Sequence, residues 1–173
     1  MSGRDITHAV TELAQIGRYE PIIAIGTGGM ATVYLARAPV ADGVGREVAL
    51  KVVHPHLRES EEAASTLIEE AKLAARIRHP NVVPVREVGE DGAGIFLVMD
   101  YVEGATVSML ARSGAEPLGI ASRILKDALA GLHAAHELAG DDGKPLELVH
   151  RDFSPQNVLV GVDGVTRLTD FGI

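Results

Sequence analysis

Between residues 149 and 160 the chain reads VHRDFSPQNVLV. Two side chains there could do chemistry: Asp152 offers a carboxylate that can take a proton, and Asn157 offers a hard carboxamide oxygen. Asp170, in the closing DFGI, adds a second carboxylate. Hard cations such as Mg²⁺ take oxygen ligands and commonly bind through one or two carboxylates together with substrate phosphates. Three such residues around a hairpin could hold a metal and leave one carboxylate as a base. Taken singly, each also suits an ordinary polar turn ahead of a short buried strand.

A second group lies nearer the N-terminus. IGTGGMATV sets Gly26, Gly28 and Gly29 in a turn between two strand-like runs. Glycine lets backbone N–H groups come close to a phosphate and permits positive φ. The same glycines also suit a plain hairpin. A dinucleotide fold needs a helix after its glycines, whereas TVYLARA alternates like a strand. A Walker loop needs Lys-Ser or Lys-Thr, and neither follows. The chemical reading that remains is a glycine lid over phosphates.

In VALKVV, a period of two puts Ala49 and Lys51 on one face and Val48, Leu50 and Val52 on the other. A lysine at a strand centre is an ordinary solvent-facing residue unless a carboxylate meets it. Residues 60–78 read as a helix that offers Glu69 and Glu70. Its periodicity aligns Glu70 with Leu67, Ala74 and Ile77 on the apolar edge, and Glu69 with Ser65, Lys72 and Arg76 on the wet one. An inward carboxylate needs a cation. Glu70 is therefore expected to pair with Lys51, the alternative being a borderline position that reaches solvent.

These groups need a scaffold. Ile6, Val10 and Leu13 recur at helical spacing up to Gly17, which predicts a short helix over 5–16. YEPIIAI, ATVYLARA and REVALKVV follow as hairpin-connected strands. The helix at 60–78 has Ser60 as a cap, Glu61 and Glu62 in its first turn, and Arg76 and Arg78 in its last. NVVPVREV and GIFLVMDYV are two more strands; TVSMLAR is a short helix and 118–138 a long one. NVLVGVDGVTRLTD reads as a hairpin turning at Asp163-Gly164. The fold class is α+β: a five-stranded lobe with one inserted helix, then the start of a helical lobe.

Composition narrows the class. With 173 residues, 46% hydrophobic and 23% charged, the chain suits one ordinary domain or two small lobes. Without cysteine it has no thiolate metal site and no disulfide. A net charge of -8 argues against a nucleic-acid surface. No run nears the roughly 18 apolar residues of a membrane span, and the N-terminus lacks the apolar core of a secretory signal. A cytoplasmic setting is expected.

Taken together, the motifs resemble a eukaryotic-type protein kinase of the Hanks type found in bacteria. The likeness runs in order from Tyr19 to Ile173: the loop Gly26 to Val33, VALK, Glu70, HPNVV, the hinge after LVMDYVEG, HRDFSPQN and DFG. The resemblance implies a kinase-like fold divided into an extension at 1–18, an N-lobe at 19–99, a hinge at 100–104 and a partial C-lobe at 105–173. It implies ATP and Mg²⁺ as cofactors and a protein as substrate, phosphorylated on serine or threonine. Gly26, Gly28 and Gly29 would cover the phosphates, and Lys51 would hold them while paired with Glu70. Val33, Ala49 and Leu159 would sandwich the adenine, and backbone at Asp100 and Val102 would bind its edge. Asp152 would orient and deprotonate the acceptor hydroxyl; Asn157 and Asp170 would hold Mg²⁺.

Three departures stand out. Ala31 occupies the usual third glycine of the loop, a place that tolerates a small residue. Ser154 stands where Ser/Thr members commonly have lysine, and losing that cation near the γ-phosphate could slow transfer by on the order of 10²-fold. The chain stops just after DFG, without the activation segment and later helices of the family. That leaves a kinase-like module that binds nucleotide or a partner without transferring phosphate as the alternative. A small-molecule phosphotransferase would share the general site but not the combined HRD and DFG motifs. Apolar surface on the incomplete helical part is expected to drive self-association unless a partner covers it.

Overall fold

The structure, a computed structural model, describes residues 15–39, 45–58, 61–92, 94–114 and 117–171. The leading helix expected over 5–16 lies outside these apart from its last two residues, of which Ile16 bridges to Tyr19. The proposed cap Ser60 also lies outside.

Alternating apolar residues in the first half give β1 (Glu20–Thr27), β2 (Ala31–Ala38), β3 (Arg46–Val53), β4 (Val85–Asp91) and β5 (Gly94–Asp100). They form one antiparallel sheet in the order β1-β2-β3-β5-β4. The period-two reading of β3 holds. Val48, Leu50 and Val52 join Tyr19, Phe96 and Val98 on the outer face. Val53 on the inner face packs with Ala71 and Leu67 of α1 (Glu61–Ala74). A short 3-10 turn, Pro55–Arg58, leads into that helix. Helix α1 keeps the predicted phase: Ala71 and Ala74 are buried, while Glu69 pairs with Lys72 in solvent at 3.1 Å. It ends at Ala74, so Arg76 and Arg78 lie beyond its last turn.

The strand expected from Asn81 begins only at Val85. Pro84 has no N–H to give a ladder, and the residues before it serve the other sheet. Val83 N–H donates to the Leu168 carbonyl at 2.9 Å and Leu168 N–H to that of Asn81 at 2.8 Å. This crossing ties the two halves together.

The second half contains α2 (Val107–Ser113), α3 (Leu118–His136) and a three-stranded sheet. The expected hairpin is present as β7 (Val158–Gly161) and β8 (Thr166–Leu168), with Gly164 in the turn at φ 75°. Its third strand, β6 (Gly104–Thr106), was not anticipated; it pairs antiparallel with β7. Gly104 permits this approach, since a Cβ there would collide with the Val160 carbonyl. Thr106 then caps α2, its hydroxyl accepting from Met109 N–H at 3.1 Å. Helix α3 buries Ala128, Gly131 and Ala135, and Gly131 lets its backbone lie directly on Asn81. The segments bearing Asp152, Asn157 and Asp170 are thereby held against the five-stranded sheet.

Candidate active site

The three loop glycines are not demanded by the fold. None of Gly26, Gly28 or Gly29 has positive φ. A Cβ at Gly26 or Gly28 would make only ordinary contact at 3.9 Å, and one at Gly29 would meet nothing. The positive φ anticipated for this loop is therefore absent, while the open space above the backbone is what approach by a ligand requires.

Below the loop, Val33, Ala49 and Leu159 come together as expected, in one apolar cluster with Val83, Met99 and Val102. Strands from both sheets supply it. At its edge, Asp100 N–H is already bound by the Pro84 carbonyl at 3.1 Å. Among the described residues no backbone bond takes up the N–H or C=O of Val102. A flat heterocycle would find apolar faces here and a free peptide group beside them. The Asp100 carboxylate turns outward to Arg46 at 2.9 Å and to Arg86, which holds its pKa below the ordinary value.

Two side-chain pairs lie near this apolar cluster, with Lys51 on the same strand as Ala49 and Asn157 two residues before Leu159. Lys51, buried on β3, donates to Asp170 Oδ1 at 2.8 Å. Asn157, 9% exposed, donates through Nδ2 to Asp152 Oδ2 at 2.8 Å and to the Asp152 carbonyl at 3.0 Å. A carboxylate only accepts, so the Asn157 nitrogen must face Asp152 and its oxygen must face away. Among the described residues, no donor takes up Asn157 Oδ1 or Asp170 Oδ2. A carboxamide oxygen and a carboxylate oxygen are donor types that suit a hard cation such as Mg²⁺. No cluster of three or more His, Cys, Asp or Glu side chains forms among the described residues. A site of one carboxylate and one amide would need phosphate oxygens to complete it.

The expected Lys51–Glu70 pair is replaced. Glu70 does lie on the inner edge of α1, but its Oε1 accepts from Arg151 Nη1 at 2.7 Å. Lys51 and Glu70 line one pocket of about 520 Å³ between β3 and α1, with Arg151, Leu67 and Met30; it shares no lining residue with the Val33, Ala49 and Leu159 cluster. The periodicity argument found the right face and missed the cation. Arg151, at φ 63°, reaches out of the loop before β7 toward α1.

His150 is a further residue to which the sequence assigned no task. It is buried, tilted against Phe171 with ring centroids 4.5 Å apart, and its Nε2 lies 2.9 Å from the Thr169 carbonyl. That carbonyl can only accept, so Nε2 carries the proton, and Asp152 N–H, which donates to the His150 carbonyl at 2.8 Å, also reaches Nδ1 at 3.3 Å. Burial pushes its pKa below the usual value, which keeps it neutral. His150 thus fixes the backbone of Asp152 to that of Thr169, immediately before Asp170.

Comparison with known proteins bears on the family and the fold. The family model described as protein kinase domain matches residues 19–173. A tyrosine-protein kinase of Myxococcus xanthus, MasK, is 36% identical over all of this chain and 28% of its own length. Bacillus subtilis PrkC, named as a serine/threonine-protein kinase, is 34% identical over 91% of this chain and 23% of itself. The Mycobacterium tuberculosis PknI kinase domain superposes with a TM-score of 0.76 at 29% identity, covering 95% of this chain and 62% of that one. The chain thus spans about a quarter of the length of these curated relatives. No helix among the described residues is long and apolar enough to cross a membrane.

Proposed function

This chain belongs to the protein kinase domain family, and from that premise we propose that it is the nucleotide-binding and catalytic-loop part of a bacterial enzyme that transfers phosphate from ATP to serine or threonine of a protein. The observation that carries the reading is that the Lys51–Asp170 and Asp152–Asn157 pairs are tied together at Thr169, whose N–H donates to the Asn157 carbonyl at 2.9 Å and whose hydroxyl reaches Met99 of the apolar cluster. The division into an extension, N-lobe, hinge and partial C-lobe belongs to the same proposal, as does a cytoplasmic setting. Serine or threonine specificity follows the name of PrkC, while MasK carries a tyrosine-kinase name.

Most of the work in such a reaction is positioning and charge stabilisation. Val33, Ala49 and Leu159 grip the base, and the Val102 peptide reads its edge. Lys51 neutralises phosphate oxygens, and its partner Asp170 keeps its ammonium aimed into the cleft. Asn157 and Asp170 hold Mg²⁺, which when bound draws charge from the phosphate oxygens. Asp152 faces the acceptor hydroxyl; the Asn157 amide and the His150–Asp152 backbone bond hold its carboxylate and main chain in place. A proton leaving the hydroxyl passes to that carboxylate.

The test is titration of the chain with ATP, with and without Mg²⁺. Lys51→Met and Asp170→Ala should each weaken binding by about tenfold or more, the scale of one charge-assisted contact. Unchanged affinity in both would remove the site assignment.

A further inference from the structure

His54 is joined to the glycine loop by three hydrogen bonds, although no sequence motif includes it. Strand β3 pairs with β2 up to Val53 opposite Ala31. One residue further on, His54 N–H donates to the Met30 carbonyl at 2.8 Å, lengthening the ladder by a rung. The ring then reaches beyond the strand end. Its Nδ1 lies 3.2 Å from the Gly29 carbonyl and its Nε2 lies 3.0 Å from Thr32 Oγ1. A carbonyl only accepts, so Nδ1 carries a proton toward Gly29; the neutral ring's Nε2 can accept from the Thr32 hydroxyl.

The side of the sheet matters. Thr32 pairs with Val52, whose side chain lies on the outer face, whereas Val33 pairs with Lys51 and faces the cleft. His54 therefore takes hold of the loop from outside, at Gly29, Met30 and Thr32, and leaves the cleft side of Gly26 to Gly29 open. The loop's own tether is a turn bond, Gly28 N–H to the Ala31 carbonyl at 3.0 Å. Glycines lose more freedom on ordering than other residues. A loop with so little side chain gains much from an external clasp.

We propose that His54 is a positioning residue that holds the glycine loop at the height where its amides meet phosphate. The proposal rests on the nucleotide reading of the cleft, and one arm of its test does not. Hydrogen exchange in the unliganded 173-residue chain reads the clasp directly. His54→Phe keeps a ring but removes both ring bonds, and should speed exchange at Gly28 and its neighbours while strand β3 amides stay protected. The second arm compares ATP with adenosine. His54→Phe and His54→Ala should weaken ATP binding by about tenfold, the scale of one or two net hydrogen bonds, and leave adenosine unchanged. His54→Asn, whose amide nitrogen can still reach Gly29, should recover part of the loss.

Unchanged loop exchange in His54→Phe overturns the clasp whatever the nucleotide result. Equal losses for ATP and adenosine reduce His54 to a general structural role and overturn its link to phosphate. A wild-type chain that binds neither ligand refutes the nucleotide reading and the phosphate role together; the exchange arm then decides only whether the mechanical clasp exists.

Discussion

The two halves of this molecule are finished to different degrees. The centre of the five-stranded sheet is packed on both faces: Leu50, fully buried, lies with Val98 and Phe96 on one side, and Val53, Ile95 and Leu97 meet α1 on the other. Ile22, Ile23 and Ile25 of the edge strand β1 stay exposed. Helix α3 in the other half buries one side and leaves Leu118 at 83% exposure, with Ile120, Leu125 and Leu129 also exposed. A groove of about 430 Å³ runs between α2, α3 and the loop before β7, lined by Leu110, Ile124, Leu125, Phe153 and Pro155. Val33, Ala49 and Lys51, which would grip the base and the phosphates, therefore sit on the better-packed sheet, while Asp152 sits on a loop with an uncovered apolar flank. Binding and transfer should separate accordingly.

The largest effect should fall on transfer. The 173-residue chain is expected to bind ATP but to move no measurable phosphate to a generic protein acceptor. A version whose helical half is completed to the length of its relatives should transfer, and Asp152→Asn in that version should cost about 10²–10⁴-fold, the usual worth of a positioned base. The physical reason is positioning: a base on a loosely backed loop loses the fixed geometry that supplies much of the rate. Radiolabel transfer measures it. Robust transfer by the short chain that disappears with Asp152→Asn would show that the open flank does not matter.

Stability should divide along the same line, by less. Leu50→Ala removes a fully enclosed side chain and should cost about 2–5 kcal/mol in urea unfolding. Leu118→Ser, at the exposed start of α3, should stay within about 0.5 kcal/mol and reduce self-association by shrinking the open patch. A large loss at Leu118 would mean that this face is covered in solution, by a second copy or another partner.

What could be read in advance divides in a related way. The β3 faces, the inward phase of Glu70 and the meeting of Val33, Ala49 and Leu159 were legible, because each follows from a period or an ordered motif. The cation facing Glu70 was not legible. Helix phase fixes the direction of a side chain relative to its own axis, but the distance from α1 to β3 decides whether Lys51 or Arg151 is reached, and that is tertiary. Strand β6 was missed because three residues, Gly-Ala-Thr, carry no periodicity and their partner β7 is distant in sequence. His54 was missed because a histidine after a strand has no single expected use; its contacts exist only once the glycine loop folds back over β3.

The smallest predicted effect compares two neighbouring carboxylates. Glu69 and Lys72 pair within α1, both largely in solvent, whereas Glu70 and Arg151 join α1 to the catalytic loop with the Glu70 side chain 22% exposed. Exposed pairs are worth little because water screens them and two long side chains must be held in place. Arg151 remains 66% exposed, so even the crossing pair is discounted. Double-mutant cycles with Glu70→Gln and Arg151→Gln should give a coupling of about 0.5–1 kcal/mol, and those with Glu69→Gln and Lys72→Gln about 0.3 kcal/mol or less. In the completed version, Glu70→Gln should also lower transfer while Glu69→Gln changes it little, since of these two only Glu70 lines the pocket that contains Lys51. A larger coupling at Glu69 would mean the helix is turned by one residue. A Glu70 coupling that appears with Lys51 in place of Arg151 would mean the helix moves inward in solution, so that the two halves meet through the nucleotide site itself.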